Sequence, residues 1–589
     1  MPDNTAPGES TSESIVEQLD KAYEYDREPV SEDKLQPARY FAGNFAGEHT
    51  AGTEFVIGAL FVSWGAAAGD VILGLVLGNL LAVLSWALVC APIAVETRLT
   101  LYWYLRRIAG PVVTILYNVL NAFLYCILAG AMITVSASAL RLPFGIEPQT
   151  GWVPTDWRFV LVALFVGAVI VTIAIMGFKR LAQFASVCSP WLLVMFVAGG
   201  FATLPGLADQ VPEVGSIGSF GEFWHVAKQT IWTGTTAGGE ATEIGFWHVA
   251  AFAWITNLAM HLGMSDMALL RYAKKTSYGF FSAFGMYLGH YVAWIAAGIM
   301  GAAAAAYMGQ PLAELDSGAV AYYSLGICGA VAVVIAGWTT SNPTLYRAGL
   351  ALQAVTPGWS RWKVTLAAGG LTTAIACLPW VFTQLLNFVA LYGLLLLPIG
   401  TIVVVEHWIF PKIGYRRYWA SEKGLLMNWP ALTAWGVPVA LALVFWYTQV
   451  IHQFFLLIPT WILAAVIYVV MAGLWGAADM PAETGAEPQK PEPESASDGG
   501  EEADESAETQ LVMDKMQSNA SYVLFGVAVL ALLGCLGSSV GFFLMSPEPY
   551  QESLSTLHTV LLILSVVYFL SGTTWAYMGE EEKEEKSAA

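Results

Sequence analysis

Charge is scarce in this 589-residue sequence. Asp, Glu, Lys and Arg make up 12% of it and hydrophobic residues 56%, against a charged share of about a quarter in ordinary soluble domains. A water-soluble multidomain protein is therefore excluded. Cysteine is equally sparse: Cys90, Cys126, Cys188, Cys328, Cys377 and Cys535 are scattered through apolar runs, which predicts small core residues and excludes both a disulfide framework and a zinc site. No GxxxxGK[ST] phosphate loop and no spaced nucleophile triad occurs, and the basic residues flank apolar runs instead of forming a patch. Catalysis and nucleic-acid binding are thereby disfavoured, and no organic cofactor is implied. The net charge of −19 lies mostly in the tails and one linker, so it carries no information about a bound solute.

What the chain does have is long apolar runs of about 20 residues, the length that crosses a bilayer. They fall near residues 71–91, 112–140, 157–176, 182–204, 243–264, 279–308, 319–341, 364–384, 387–408, 431–449 and 453–476, with two more near 519–545 and 557–578. A further span must precede them. Residues 55–69 are too short alone, so the first crossing takes in 40–54 with Gly43, Glu48, His49, Thr50, Gly52 and Glu54. That reads as a broken helix, because polar backbone at membrane depth is tolerated where it lines a cavity; an interfacial re-entry of 40–54 is the alternative. The organisation predicted is an acidic disordered tail (1–38) without signal peptide, a twelve-span core (39–477), a disordered acidic linker (478–518), a two-span appendage (519–578) and a short tail (579–589). Lys and Arg in alternate loops number fifteen against three, which predicts a multi-pass protein of the plasma (inner) membrane with both termini cytoplasmic.

Within the spans, a charged, unpaired side chain costs ~2.5–3.5 kcal/mol, so polar residues there need partners or a function. Thr339 and Thr340 sit together in an apolar run with Ala336 one turn earlier. Their oxygens are able to ligate a dehydrated cation, or simply to bond their own helix. In the third span Asn118, Asn121 and Tyr125 share a helical face, and in the sixth Trp254, Thr256, Asn257 and His261 cluster. Asn257 offers the donors and acceptor that a planar heterocycle requires, and Trp254 a ring to stack on it. His261 reads as a histidine bonded to a backbone carbonyl.

Trp338, Thr339, Thr340, Leu345, Tyr346, Gly349 and Leu350 resemble the eighth membrane helix of bacterial cytosine permeases, in the nucleobase:cation symporter-1 family. Gly78-Asn79-Leu80-Leu81 resembles that family's second helix, Asp266 with Arg271-Tyr272 the end of its sixth, and Asn428-Trp429 the start of its eleventh, all in one order over residues 40–475. The resemblance implies an all-α membrane protein with the leucine-transporter-type 5+5 inverted-repeat core of twelve spans, here with two extra C-terminal ones, and a divergent member of the family. It implies a sodium ion (or proton) held by Ala51 and Thr53 of the first span with Ala336, Thr339 and Thr340 of the eighth. It implies a solute near Asn121, Tyr125, Trp254, Asn257 and Asn342. Where cytosine permeases have Gln and Trp in the third helix, this chain has Ala122 and Tyr125, and their Asn-Asp after the paired threonines is Ser341-Asn342, which argues against cytosine itself.

The expected activity is cation-coupled import of a nucleobase or related heterocycle, such as a hydantoin, an allantoin or a pyrimidine. The partners are a small solute and the lipid bilayer, with no protein partner indicated. An amino-acid or quaternary-amine symporter is the rival reading, favoured if Glu48 and Glu54 face the cavity, and a non-transporting sensor or scaffold is a third.

Overall fold

The computed structural model describes residues 28–149, 151–175, 178–236, 238–479, 519–545 and 549–588. The expectations for residues 1–27 and 480–518 lie outside them. Among the described residues the chain is helical, with three isolated β-bridges and no strand.

Among the described residues, ten helices are long and apolar enough to cross a membrane alone. The first, sixth, eighth and ninth crossings fall short of that test, each for a reason of its own. The first is α1 (Ala38–His49) and α2 (Glu54–Ser63), parted by residues 50–53. Next come α3 (Ala68–Thr97), α4 (Leu101–Leu140), α5 (Trp157–Ile175), α6 (Phe178–Ala208) and the short α7 (Phe220–Val226). The sixth crossing is again interrupted, into α8 (Phe246–Ile255), α9 (Leu258–His261) and α10 (Met267–Leu270). Breaks in the first and sixth spans, five crossings apart, are the mark of a 5+5 inverted repeat.

The second half continues with α11 (Thr276–Met308), α12 (Ser317–Leu325), α13 (Ile327–Gln353), α14 (Arg361–Ala376), α15 (Leu385–Val404), α16 (Trp429–Tyr447) and α17 (Leu457–Ala472). Here the expected eighth span, 319–341, is corrected. Residues 319–325 belong to the separate α12, which stops at Gly326, whose φ of +59° and ψ of −138° only glycine adopts readily. The crossing helix is α13, which continues to residue 353 through Pro343 and Arg347. It persists there because Arg347 is neutralised inside the protein, so the hydropathy drop does not mark a helix end. Hydroxyls lock α13 to α4: Ser136 donates to the Val334 carbonyl (3.2 Å) and Ser341 to that of Ala129 (3.1 Å).

Two regions are more integrated than composition implies. The end of the segment assigned to the tail is tied to the core at two points: Val30 is buried, its N–H donates to the Arg98 carbonyl, and Gln36 N–H donates to that of Tyr272. The C-terminal pair, α18 (Asn519–Met545) and α19 (Tyr550–Ala588), is docked on the core. Trp191 Nε1 donates to Ser565 Oγ (2.8 Å), and the hydroxyls of Tyr568 and Tyr550 donate to the carbonyls of Val187 and Ala202 (2.6 and 3.0 Å). His558 Nε2 donates to the Ser324 carbonyl (3.1 Å), at the end of α12.

Candidate functional site

The two helix breaks meet at one cavity. Its volume is about 60 Å³, and its wall includes Ala51, Thr53, Glu54, Thr256, Asn257, His290, Thr340 and Tyr392. That is room for a few waters, so a larger solute requires the helices to part. Gly52 explains how the first break comes so close to its neighbours: a Cβ there would lie 2.7 Å from the Val135 side chain on α4 and 3.2 Å from the Val333 carbonyl on α13. On the other side, Asn257 sits between α8 and α9 with φ −112° and ψ 30°, outside the helical basin. Half-helix ends of this kind, with their dipoles and backbone groups near a cavity, suit ions and polar solutes.

Thr340 links the break to α13. Its hydroxyl lies 2.8 Å from the Glu48 carbonyl and 3.1 Å from the Ala336 carbonyl. Thr339 donates to the same Ala336 carbonyl at 3.1 Å. Of the five residues expected at the cation, Ala51, Thr53 and Thr340 line the cavity, whereas Thr339 and Ala336 are not among its lining residues. Of the five expected at the solute, only Asn257 lines it. Tyr125 stands behind the wall, its ring against that of Tyr392 (centroids 5.7 Å) and its hydroxyl on Ser265 (2.5 Å). Asn121 is buried within α4 away from the lining, and Asn342 is turned to its own helix, donating to the Trp338 carbonyl at 3.0 Å. Trp254 faces α3, its Nε1 donating to Ser85 Oγ at 3.0 Å, so it stacks on nothing in the cavity. His261 donates to the Trp254 carbonyl at 3.0 Å, as its position implied.

Two groupings of side chains escaped the sequence reading, which named Glu48, His49, Glu54 and Asp266 singly and without their partners. The first surrounds Glu54, fully enclosed at the cavity wall. Trp294 Nε1 donates to its Oε2, Thr53 Oγ1 lies 3.4 Å from its Oε1, and His290 Nε2 is 3.9 Å from the latter. The His290 ring stacks on Trp294 at 4.4 Å and lies 3.5 Å from Asn257 Nδ2. His49 meets it edge-on at 5.2 Å; its Nδ1 donates to the Phe45 carbonyl, leaving Nε2 without a protein partner. The second group is ionic. Arg347 on α13 grips Glu48 through both terminal nitrogens (2.5 and 3.0 Å) and Asp266 through one (2.5 Å), and Trp86 Nε1 donates to the other Asp266 oxygen at 2.6 Å. Arg347 and Asp266 are wholly inaccessible. Arg347, together with the buried Arg271 and Arg361, had been counted among loop charges. A basic residue just past a hydropathic run looks like a topology determinant, and only its neighbours reveal otherwise. Removing these three and the buried Arg141 from the count leaves the Lys/Arg asymmetry in place.

No protein-family model matches the sequence, and no curated protein matches it. Solved structures do. The nucleobase-cation-symport-1 family transporter Mhp1, closed with bromovinylhydantoin bound, superposes with a TM-score of 0.59 at 18% identity, over 78% of this chain and 97% of that one. The chain has the fold of Mhp1. Its inward-facing form gives 0.55 over 78% and 96%. A Na⁺-coupled sialic acid symporter, substrate-bound and outward-open, gives 0.55 at 14% identity over 79% and 93%. These are transporters, not enzymes, and the all-helical, multi-pass architecture with its leucine-transporter-type core is theirs.

Proposed function

We propose that this protein is a cation-coupled symporter that imports a small heterocycle, a nucleobase or a hydantoin-, allantoin- or pyrimidine-like compound, by alternating access. The observation that carries the reading is the meeting of both helix breaks at one cavity, with Thr340 in its α13 wall bonded to the carbonyl of Glu48 at the end of α1, just before the first break. The fold shared with Mhp1, which was solved with a hydantoin bound, supports the substrate class. Sodium enters beside Ala51, Thr53 and Thr340, with Thr339 and Ala336 behind them, and the solute binds against Asn257. Of the other solute candidates, Tyr125 acts through Tyr392, and Asn121, Trp254 and Asn342 stay outside the contact unless the helices move. The membrane is the plasma (inner) membrane with both termini cytoplasmic, as the basic-residue asymmetry supports.

A second reading has its own observation. Glu48 and Glu54 both line the cavity, which favours an amine or amino acid, or a proton in place of sodium. Purified protein screened for thermal stabilisation by nucleobases, hydantoins, amino acids and betaines, with and without sodium, separates the two. Stabilisation by heterocycles that grows with sodium supports the first reading. Stabilisation by amines alone overturns it, and counterflow in proteoliposomes with the stabilising compound excludes a sensor that does not transport.

A further inference from the structure

The cavity wall is lopsided in its hydrogen bonding. Four threonines line it, and each spends its proton inside the protein: Thr256 on the Phe252 carbonyl (2.7 Å), Thr344 on that of Thr340 (2.8 Å), Thr340 on that of Glu48, and Thr53 toward Glu54 (3.4 Å). A hydroxyl has one proton and two lone pairs, so what these groups keep for a ligand is acceptor capacity. His49 behaves alike. Its Nδ1–H is committed to the Phe45 carbonyl (2.8 Å), so the neutral ring keeps Nε2 as a bare lone pair, buried and without a protein partner. The ring is seated closely against α11, where a Cβ on Gly285 would lie 2.6 Å from Nδ1. The two carboxylates of the wall differ. Glu48 is matched by Arg347 through both oxygens. Glu54 has no Lys or Arg within ion-pair distance among the described residues; its oxygens face the indole N–H of Trp294, the Thr53 hydroxyl and, at 3.9 Å, His290. The side-chain donors left among the lining residues are Asn257, His290 and the Tyr392 hydroxyl.

We propose that Glu54 and His49 form a recognition site for an amidine-type edge of the solute, an N–C–N unit with N–H donors on adjacent atoms, in preference to an N–H flanked by carbonyl oxygens. The inference rests on reading the cavity as the site of a heterocycle, and it narrows which heterocycle. An N–H directed at Glu54 makes a charge-assisted hydrogen bond, about twice as strong as a neutral one. A carbonyl in its place sets acceptor against acceptor and leaves an enclosed carboxylate without compensation. The lone pair of His49 extends the same preference to a second atom of the edge. Sodium beside Ala51, Thr53 and Thr340 does not account for His49, because a hard cation takes oxygen ligands, whereas an imidazole lone pair suits an N–H donor.

The test uses matched probes: isocytosine against uracil, and 2-iminohydantoin against hydantoin, each pair exchanging the oxygen on C2 for a nitrogen. Their Kd values are obtained from ligand-dependent thermal stabilisation of the purified full-length protein at saturating sodium. The nitrogen-bearing member should bind at least about tenfold more tightly in each pair. Glu54→Gln, equal in shape and uncharged, should bring each ratio to within about threefold. His49→Gln leaves the carboxylate in place and should lower each ratio too, so it decides the matter if Glu54→Gln does not fold. Equal binding within each pair by the parent protein would overturn the inference while leaving the heterocycle reading intact. Stabilisation by none of the four probes would overturn that reading and the inference with it. A Glu54→Gln protein that loses its response to sodium yet keeps the parent's ratios would assign Glu54 to the cation, and would overturn the inference alone.

Discussion

Thr340→Val tests the cation site most directly, because the two roles open to this hydroxyl differ in what they act on. In the structure the hydroxyl bonds the Glu48 carbonyl at 2.8 Å and that of Ala336 at 3.1 Å. If that is all it does, valine keeps the shape and removes one interhelical hydrogen bond, worth ~0.6 kcal/mol on average within membranes and ~1.7 at most. Stability then falls by about that amount at every sodium concentration. If Thr340 also ligates sodium, a ligand oxygen is lost in a cavity too tight to replace it freely with water, and the slope against sodium changes as well. Sodium at a hundred times its Kd stabilises the folded protein by ~2.7 kcal/mol; a tenfold weaker site at the same concentration yields only ~1.4. Linkage requires solute affinity at fixed sodium to fall by the matching coupling, ~1–3 kcal/mol. The assay is the melting temperature of parent and variant over a sodium titration at two pH values, repeated with a stabilising solute. Parallel sodium curves, offset by a constant, would remove Thr340 from the cation site. A parent insensitive to sodium but responsive to pH would replace sodium with a proton.

Three further outcomes follow from particular contacts. Truncation after residue 476 removes α18 and α19 with interhelical hydrogen bonds that include those of Trp191, Tyr568, Tyr550 and His558, each ~0.6 kcal/mol; the truncated core should melt at a lower temperature on size-exclusion thermostability, and an unchanged midpoint would make the pair a true appendage. Gly52→Ala sets a methyl 2.7 Å from the Val135 side chain and 3.2 Å from a backbone carbonyl, an overpacking of ~1–3 kcal/mol that should lower the melting temperature and weaken any sodium response. Asp316→Asn breaks the enclosed pair with Arg141 (2.7 and 2.9 Å) that ties α12 to the end of α4, at a cost of ~3–5 kcal/mol. Asp156→Asn, against the half-exposed Arg158, should change stability by no more than ~1 kcal/mol; equal effects in thermal unfolding would refute the weight placed on burial.

Much of the architecture is legible in the amino-acid order because a bilayer imposes it: an apolar run must be long enough to cross, and a run too short, interrupted by Gly52 and polar groups, must break. Residues 40–63 declared themselves on those grounds, and the fold followed. The site did not, for reasons equally physical. Helical spacing places Asn121, Tyr125, Trp254 and Asn342 on polar faces but does not say which neighbour each face meets; Trp254 turned to Ser85 and Asn342 to its own backbone. Composition likewise assigned Arg347 to a loop, since a lone guanidinium cannot lie within a membrane. It lies there because Glu48 and Asp266, 299 and 81 residues away in the chain, arrive beside it. Only folding brings those partners together, and with them the cost of burying the charge changes from prohibitive to small.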